Sequence, residues 1–521
     1  VEKASKYYFN KSASELTLAE AAFLAGINRA PNAYNPYEEG NEEAIKKVTK
    51  TVLVKMKELG MIETEEEYNE AIATVDKGLT FTKGEIVDST DISYHTAAAI
   101  DQVAEDIAEQ KEVNIKEARR ILYSGGYKLY TTQVTSIQER MEKEYLRDKY
   151  IFDSKITKDE NGKYKHTQSG MTIIEQTTGK VVGAMGGLGS DSSPLGLNRA
   201  TQTFRQCGST MKPLLYYTAL ESGFTASSSF TSEKTTFTFA GDKTYSPNNY
   251  NNSYANCPIS MAAAISYSDN IYAVKTHLFL GENMLINTAK RLGITSNLTA
   301  IPSLALGTEE ISLLEMTTSY SSFANLGYKV EPHFIKKIVD SKGNILYENK
   351  EEKELILNQS LTFILNEMLT YTYNKNFIDY NYPTLISLLP NITHKYSIKS
   401  GTTDTDLLII GYNKDAVLSI WNGYDDNSKI ESKEYSYHKN IWIDTMEAYF
   451  KDKETTWYNI PSNVVGVLVN PITGVIANDN DTKKEMFFYI KGTEPTLNGT
   501  TKDLDAVFKE ENSLNEQKEA P

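Results

Sequence analysis

Gly208-Ser-Thr-Met-Lys-Pro-Leu-Leu-Tyr-Tyr-Thr-Ala-Leu-Glu-Ser-Gly223 sets a serine three residues before a lysine and a proline directly after it. Leu214, Leu215, Tyr217 and Leu220 follow at helical spacing up to a stop at Gly223. Proline is tolerated only near a helix start, so Ser209 is predicted at a helix N-terminus with Lys212 one turn on, on the same face. Upstream, Met171–Glu175 and Val181–Met185 read as strands joined at Thr177-Thr-Gly-Lys180, a hairpin signal. Downstream, helices dominate to about Leu326. Strands return at Phe334–Val339, Leu407–Tyr412 and Val417–Trp421, followed by a helix at Trp442–Phe450. A last hairpin is predicted from Val464–Val469, a turn at Asn470–Gly474, and Val475–Ala477. Strands at both ends of this region with helices between predict an α+β fold: one antiparallel sheet flanked by helices.

The N-terminal part is helical. Thr17 and Glu20 form a capping box before Ala21–Ala25, Gly26 reads as a C-cap, and a second helix runs from Glu42 to Leu59. Residues 63–164 are mixed and charged, with helices expected at Tyr94–Glu109, Ile115–Leu122 and Ser136–Tyr150 and a strand within Gly126–Thr132. Residues 499–521 read as a charged, disordered tail. Val1 opens the chain inside an element without a starting Met, and the expectation is a fragment of a longer polypeptide.

Composition narrows the chemistry. The 521 residues suggest about three domains. Lys+Arg 54 against Asp+Glu 69 leaves a net charge of −15, which disfavours nucleic acid as a partner. No stretch reaches the roughly 18 apolar residues of a membrane span. Cys207 and Cys257 lack zinc spacing, the six histidines are scattered, and GxSxG and HExxH are absent. An enzyme here is expected to work without metal, cofactor or histidine.

Three motifs remain: Ser209-Thr-Met-Lys212, Ser268-Asp-Asn270 and Lys399-Ser-Gly401 followed by Thr402 and Thr403. Each alone is weak. Ser436-Tyr-His-Lys439 repeats the first, in what reads as a charged loop, and Ser246-Pro-Asn248 and Ser513-Leu-Asn515 repeat the second. Context selects Ser209. A serine hydroxyl needs a base. Lys212 serves only when neutral, which asks roughly 4–5 kcal/mol of its surroundings. Burial and a second cation, Lys399, are the expected sources. Ser268 can bridge the two amines and relay a proton to a leaving nitrogen, while Asn270 holds Lys212 and a substrate carbonyl. Gly401 would let a substrate backbone approach an edge strand. Ser400, Thr402 and Thr403 beside Lys399 suit a substrate carboxylate. The N–H groups of Ser209 and Thr402 could form an oxyanion hole, where one donor is worth roughly 3 kcal/mol. These parts describe acyl transfer through a serine ester to or from a peptide with a free C-terminal carboxylate.

The motif set, in this order, resembles that of the penicillin-binding proteins and serine β-lactamases. Asn198-Arg-Ala-Thr-Gln-Thr-Phe-Arg-Gln-Cys-Gly-Ser-Thr-Met-Lys-Pro213 is similar to the nucleophile block of class A high-molecular-weight penicillin-binding proteins. So are Leu304-Ala-Leu-Gly307, Leu314-Glu-Met316 and Phe323-Ala-Asn325, a helical stretch in that family, and Gly411-Tyr412 with Trp421–Asp426 after the third motif. Tyr8–Gly26 and Lys46–Met56 resemble the end of a family-51 glycosyltransferase domain. Ser400 stands where the family has Thr, and Cys207 where it has Pro.

The resemblance implies four segments: 1–62 as glycosyltransferase remnant, 63–164 as linker, 165–498 as transpeptidase domain, and 499–521 as tail. It implies a peptidoglycan D,D-transpeptidase that releases D-Ala from a stem peptide, cross-links the acyl group to a neighbouring stem and is acylated by β-lactams. Catalytic roles fall to Ser209, Lys212, Ser268, Asn270 and Lys399, and substrate binding to Ser400, Gly401, Thr402 and Thr403. The glycosyltransferase's catalytic glutamates and membrane helix lie upstream of Val1 in that family, so glycan polymerisation is not expected. Implied partners are stem peptides, lipid-linked precursors, β-lactams, the membrane through the missing anchor, and other cell-wall synthesis proteins. The implied location is the extracytoplasmic face of a bacterial membrane. Hydrolysis by the same site, as in a carboxypeptidase or β-lactamase, and a vestigial binding module are the alternatives. Cys207 and Cys257 either pair or remain two buried thiols.

Overall fold

The structure is a computed structural model, and it describes all residues except 85–91, 148–157, 159, 163, 190, 191, 240, 497–503 and 506–521. The chain forms two compact units, Val1–Asp91 and Ile92–Pro521. No helix among the described residues is long and apolar enough to cross a membrane.

The first unit holds α1 (Glu2–Phe9), α2 (Leu18–Ile27), α3 (Glu42–Glu58) and α4 (Glu65–Lys77). The capping box of α2 is present: Thr17 Oγ1 accepts from Glu20 N, and the Glu20 carboxylate accepts from Thr17 N at 2.8 Å. Gly26 is not the C-cap. It lies inside α2, where a Cβ would come within 3.0 Å of Val48, so its lack of a side chain serves the close approach of α3. Ala71 and Val75 of α4 share a core with Ala19, Ala22 and Leu53. This packing carries the unit past residue 62, where a boundary was expected.

The second unit is built on a five-stranded antiparallel sheet. Its strands are β2 (Gln168–Glu175), β3 (Lys180–Met185), β14 (Ser397–Thr402), β15 (Asp406–Tyr412) and β16 (Val417–Gly423), in the order β14-β15-β16-β2-β3. The central strands are near-continuous apolar runs because both faces are covered. Leu408, Ile410, Tyr412, Val417 and Trp421 face one core. Ile409, Leu418, Ile420, Met171 and Ile173 face the other. The second core is closed by α7 (Thr135–Tyr145) and α14 (Tyr437–Phe450). The first belongs to α8 (Lys212–Glu221), α9 (Met261–Tyr267), α10 (Asn270–Leu280), α11 (Glu282–Arg291), α12 (Leu313–Ala324) and α13 (Gln359–Thr370).

Residues expected as a separate linker pack on this sheet. Ala98, Ala99 and Val103 of α5 (Tyr94–Lys111), with Leu122 of α6 (Ile115–Ser124), meet Val181 and Ala184 of β3. The Gln138 amide donates to Ala184 O at 2.9 Å and its oxygen accepts from Ala184 N. The helix expected at Ser136–Tyr150 runs from Thr135 to Tyr145 and ends at Leu146, its C-cap; residues 148–150 lie outside the described residues. A three-stranded sheet joins β1 (Lys128–Thr131), β11 (Ile335–Val339) and β12 (Ile345–Glu348). Two-stranded pieces are β4 (Phe204–Gln206) with β9 (Glu310–Ser312), β5 (Ser229–Thr231) with β8 (Pro258–Ser260), β6 (Phe237–Phe239) with β7 (Lys243–Tyr245), and β10 (Tyr328–Lys329) with β13 (Glu354–Leu355).

Two C-terminal expectations are corrected. β17 (Val464–Val469) pairs with β18 (Glu485–Ile490) and not with residues 475–477, which contribute one isolated bridge between Val469 and Ile476. Phe487 and Tyr489 decide this pairing: both are buried, and Phe487 stacks on Tyr371 and Phe377. In the tail, Leu504 and Asp505 are folded in. Leu504 is 2% exposed, and Asp505 accepts from Lys275 of α10 at 2.6 Å. The other tail residues, Ser513–Asn515 included, lie outside the described residues.

Candidate active site

The nucleophile turn is shaped by its neighbours. Residues Gly208–Met211 form one 3-10 turn leading directly into α8, with Pro213 in the first turn of that helix. Gly208 has φ +56°, and its N–H donates to Gly307 O at 2.9 Å. Gly307, also left-handed, approaches so closely that a Cβ would lie 2.0 Å from Gly208 O. The preceding Leu304-Ala-Leu is a 3-10 turn, not the helix the resemblance implied, and Gly307 caps it. Thr210 Oγ1 donates to Cys207 O at 2.6 Å, and the buried Tyr320 hydroxyl of α12 donates to Thr210 O at 2.7 Å.

Lys212 begins a helix buried on every side, and its side chain lies wholly inside. Its Nζ donates to Ser268 O at 2.6 Å and Asn270 Oδ1 at 2.7 Å, with Ser268 Oγ at 3.2 Å. Lys399 Nζ, on the edge strand β14, lies 2.9 Å from the same Ser268 Oγ and donates to Ser400 O at 2.7 Å. One hydroxyl therefore stands between two buried amines. Burial lowers Lys212 to about 7 against the opposing pull of the Asp269 carboxylate. Burial, then repulsion from Lys212 and Lys439, holds Lys399 well below the ordinary lysine range. Lys212 Nζ therefore has three oxygen neighbours, two of them on Ser268 and one on Asn270. The Ser209 hydroxyl is half-buried, and no hydrogen bond among the described residues engages it.

The middle motif is held by residues that the sequence reading did not select. Ser268 ends α9 in the left-handed region (φ 58°). Asp269 caps α10, accepting from Tyr272 N at 2.8 Å, Asn249 Nδ2 at 2.7 Å and the Ser232 hydroxyl. Asn249 Oδ1 accepts from Asn270 N, and Asn270 Nδ2 donates to Asn248 O, each at 2.7 Å. Asn248 belongs to the motif set aside as a duplicate, so that stretch borders the site. Likewise Ser436 is not in a charged loop. It starts α14 and draws Lys439 inward to donate to Thr384 O at 3.2 Å.

β14 meets the nucleophile turn directly. A Cβ on Gly401 would lie 2.5 Å from Cys207 O and 3.2 Å from Thr210 N, so this turn by itself requires glycine. Gly401→Ala should slow acylation at least tenfold and cost about 1–3 kcal/mol of stability, checked by stopped-flow labelling and thermal melting. A Cβ on Gly208 would lie 3.1 Å from Thr402 N, which sets the Thr402 N–H beside the turn bearing Ser209 N–H. Ser400 is buried and Thr402 exposed. Thr403 is occupied locally: its Oγ1 accepts from Asp406 N at 2.9 Å and Thr405 N at 3.2 Å. Both cysteines are free. Burial pushes the Cys207 thiol up to about 12, whereas Cys257 is exposed, so the pair forms neither a disulfide nor two buried thiols.

Comparison with known proteins gives concordant results. The model of the penicillin binding protein transpeptidase domain matches residues 169–430, and that of transglycosylase matches residues 1–57. Penicillin-binding protein 2D of Bacillus subtilis (strain 168) is 38% identical over 498 residues, covering 95% of this chain and 68% of that protein. Penicillin-binding protein 1A of Aquifex aeolicus (strain VF5) is 29% identical, covering 98% and 76%. Among solved structures, penicillin-binding protein 1A from Haemophilus influenzae superposes with a TM-score of 0.74 at 22% identity, covering 95% of this chain and 89% of that one. The PonA1 protein from Mycobacterium tuberculosis, in complex with penicillin V, gives 0.53 at 18% identity, covering 70% and 95%. The two structural matches show the shared α+β fold.

Proposed function

The chain belongs to the penicillin-binding proteins, with their serine transpeptidase domain preceded by part of a transglycosylase domain, and from that premise we propose how its residues divide the work. Ser209 is the nucleophile and Lys212 its base. As Ser209 Oγ bonds to the penultimate D-Ala carbonyl carbon of a stem peptide, its proton passes to Lys212 Nζ. The developing oxyanion is met by the N–H groups of Ser209 and Thr402. The peptide C–N bond then breaks, and the proton travels from Lys212 through the Ser268 hydroxyl to the departing D-Ala nitrogen. An amine of a neighbouring stem attacks the ester, returns a proton to Ser209 through Lys212, and leaves a cross-linking amide. In a β-lactam the broken C–N bond belongs to the ring. The leaving nitrogen stays attached and obstructs the second amine.

Lys399, Ser400 and Thr402 take the substrate's terminal carboxylate. That carboxylate supplies the negative charge the buried Lys399 lacks and favours the charged form of Lys399. Its charge in turn keeps Lys212 neutral. Asn270 orients Lys212. Thr403 and Gly401 shape the strand end rather than touch the substrate. The catalytic work is confined to residues 165–498. The peptidoglycan substrate places the site on the extracytoplasmic face of the membrane.

The observation that carries this reading is the Ser268 hydroxyl between two buried amines, 3.2 Å from Lys212 and 2.9 Å from Lys399. The test is incubation with a pentapeptide ending in D-Ala-D-Ala and an amine acceptor. One free D-Ala should appear per amide or free acid formed, and prior treatment with benzylpenicillin should block both. Absence of D-Ala release together with absence of a penicilloyl adduct would overturn the reading.

A further inference from the structure

The oxyanion reading depends on where Thr402 N–H is held, and the segment that holds it contains a carboxylate with no role in the chemistry above. Asp406 is 2% exposed and begins β15, just beyond the turn that leaves β14. Its Oδ1 accepts from the Trp421 indole N–H of β16 at 2.8 Å and lies 3.9 Å from the Arg205 guanidinium. Its Oδ2 accepts from Thr405 Oγ1 at 2.6 Å and Thr403 Oγ1 at 3.4 Å. Its N–H donates to Thr403 Oγ1, and its carbonyl accepts from Thr403 N at 2.9 Å. Arg205 precedes the nucleophile turn, stacks on Trp421 at 4.8 Å, and donates to Tyr424 O at 3.2 Å and to Asn427. One carboxylate thus joins the strand entering the Ser209 turn, the 403–405 turn and the central strand. Without it, the Trp421 N–H and both threonine hydroxyls lose a buried acceptor.

Building on the proposed function, we propose that Asp406 is a positioning residue for acylation: through Thr403, Thr405 and Trp421 it sets the Thr402 N–H at the distance from Ser209 N–H that receives the oxyanion. The carboxylate itself touches no substrate atom. Oxyanion donors act only when aimed at the transition-state oxygen, so a shift of the 402–405 turn costs rate far more than binding, because Lys399 and Ser400, outside that turn, still hold the carboxylate.

Asp406→Ala, Thr405→Val and the unaltered chain are compared in single-turnover acylation by a chromogenic cephalosporin over a range of concentrations. The expected result for Asp406→Ala is a limiting acylation constant about 100-fold lower. Its half-saturating concentration should change less than threefold, full labelling should be reached at long times, and the pH at half-maximal rate should not move. For Thr405→Val a drop of about fivefold is expected with melting unchanged. A merely structural role would lower the labelled fraction and leave the rate constant of the folded fraction intact. That outcome, or wild-type rate constants in both variants, overturns the inference while the reaction assignment stands. If Asp406→Ala does not fold, Thr405→Val decides alone. Failure of the unaltered chain to be acylated would instead defeat the proposed function.

Discussion

Ser209→Ala should take up no benzylpenicillin: intact mass before and after incubation should be identical, where the parent chain gains one penicilloyl group. The effect is all or none because the removed oxygen is the bond-forming atom. Other hydroxyls are close, but none is equivalent. Ser268 Oγ is already shared by two amines, and Ser400 is buried on β14. The substitution takes one half-buried hydroxyl from a turn whose shape depends on Gly208, Gly307, Thr210 and Tyr320, so melting should shift by less than about 1 kcal/mol equivalent. Undiminished labelling, or an adduct mapped to Ser436, would defeat the assignment of the nucleophile.

Lys212→Met should retain the fold and lose acylation by about a thousandfold, within the range for removal of a positioned general base. Methionine fits a helix buried on all sides and replaces an amine whose burial is unfavourable when charged. The cost is two acceptors left without their donor, Ser268 O and Asn270 Oδ1, each worth about 1–3 kcal/mol. Melting should therefore fall, while slow labelling of Ser209 persists. A loss under tenfold, measured as the second-order rate constant with a chromogenic cephalosporin, would show that another group accepts the proton.

Much of this arrangement is readable in the residues themselves. The apolar runs at Leu407–Tyr412 and Val417–Trp421 announce strands covered on both faces, and Thr17 with Glu20 announces a helix start. Ser209 with Lys212, Ser268 and Lys399 come from three distant stretches, and only the order of the three motifs suggested that Lys212, Ser268 and Lys399 meet, as they do. What was not readable depends on contacts between such stretches. Gly26 ends a helix by local rules, but Val48 and Val52 need its bare α-carbon in mid-helix. Gly474 signals a hairpin, yet β17 finds Glu485–Ile490 because Phe487 and Tyr489 have a core to fill. Asn248 and Lys439 sit in motif duplicates that spacing alone gave no reason to keep; the Asn248 carbonyl meets Asn270 Nδ2, and the charge of Lys439 is felt at Lys399. Thr403 resembles its neighbour Thr402 in sequence. The turn closed by Asp406 is what turns its hydroxyl to structural use.

The most direct test is the pH dependence of the second-order acylation rate. The base must be uncharged, and burial holds Lys212 at about 7. Below that value the rate should fall tenfold per pH unit, reaching about one hundredth of its plateau at pH 5. Above it the rate should level off by about pH 8. A bend near pH 7 that disappears in Lys212→Met is the predicted result. A rate that keeps climbing to pH 10, where an exposed lysine loses its proton, would contradict the claim that the fold delivers an uncharged amine to Ser209.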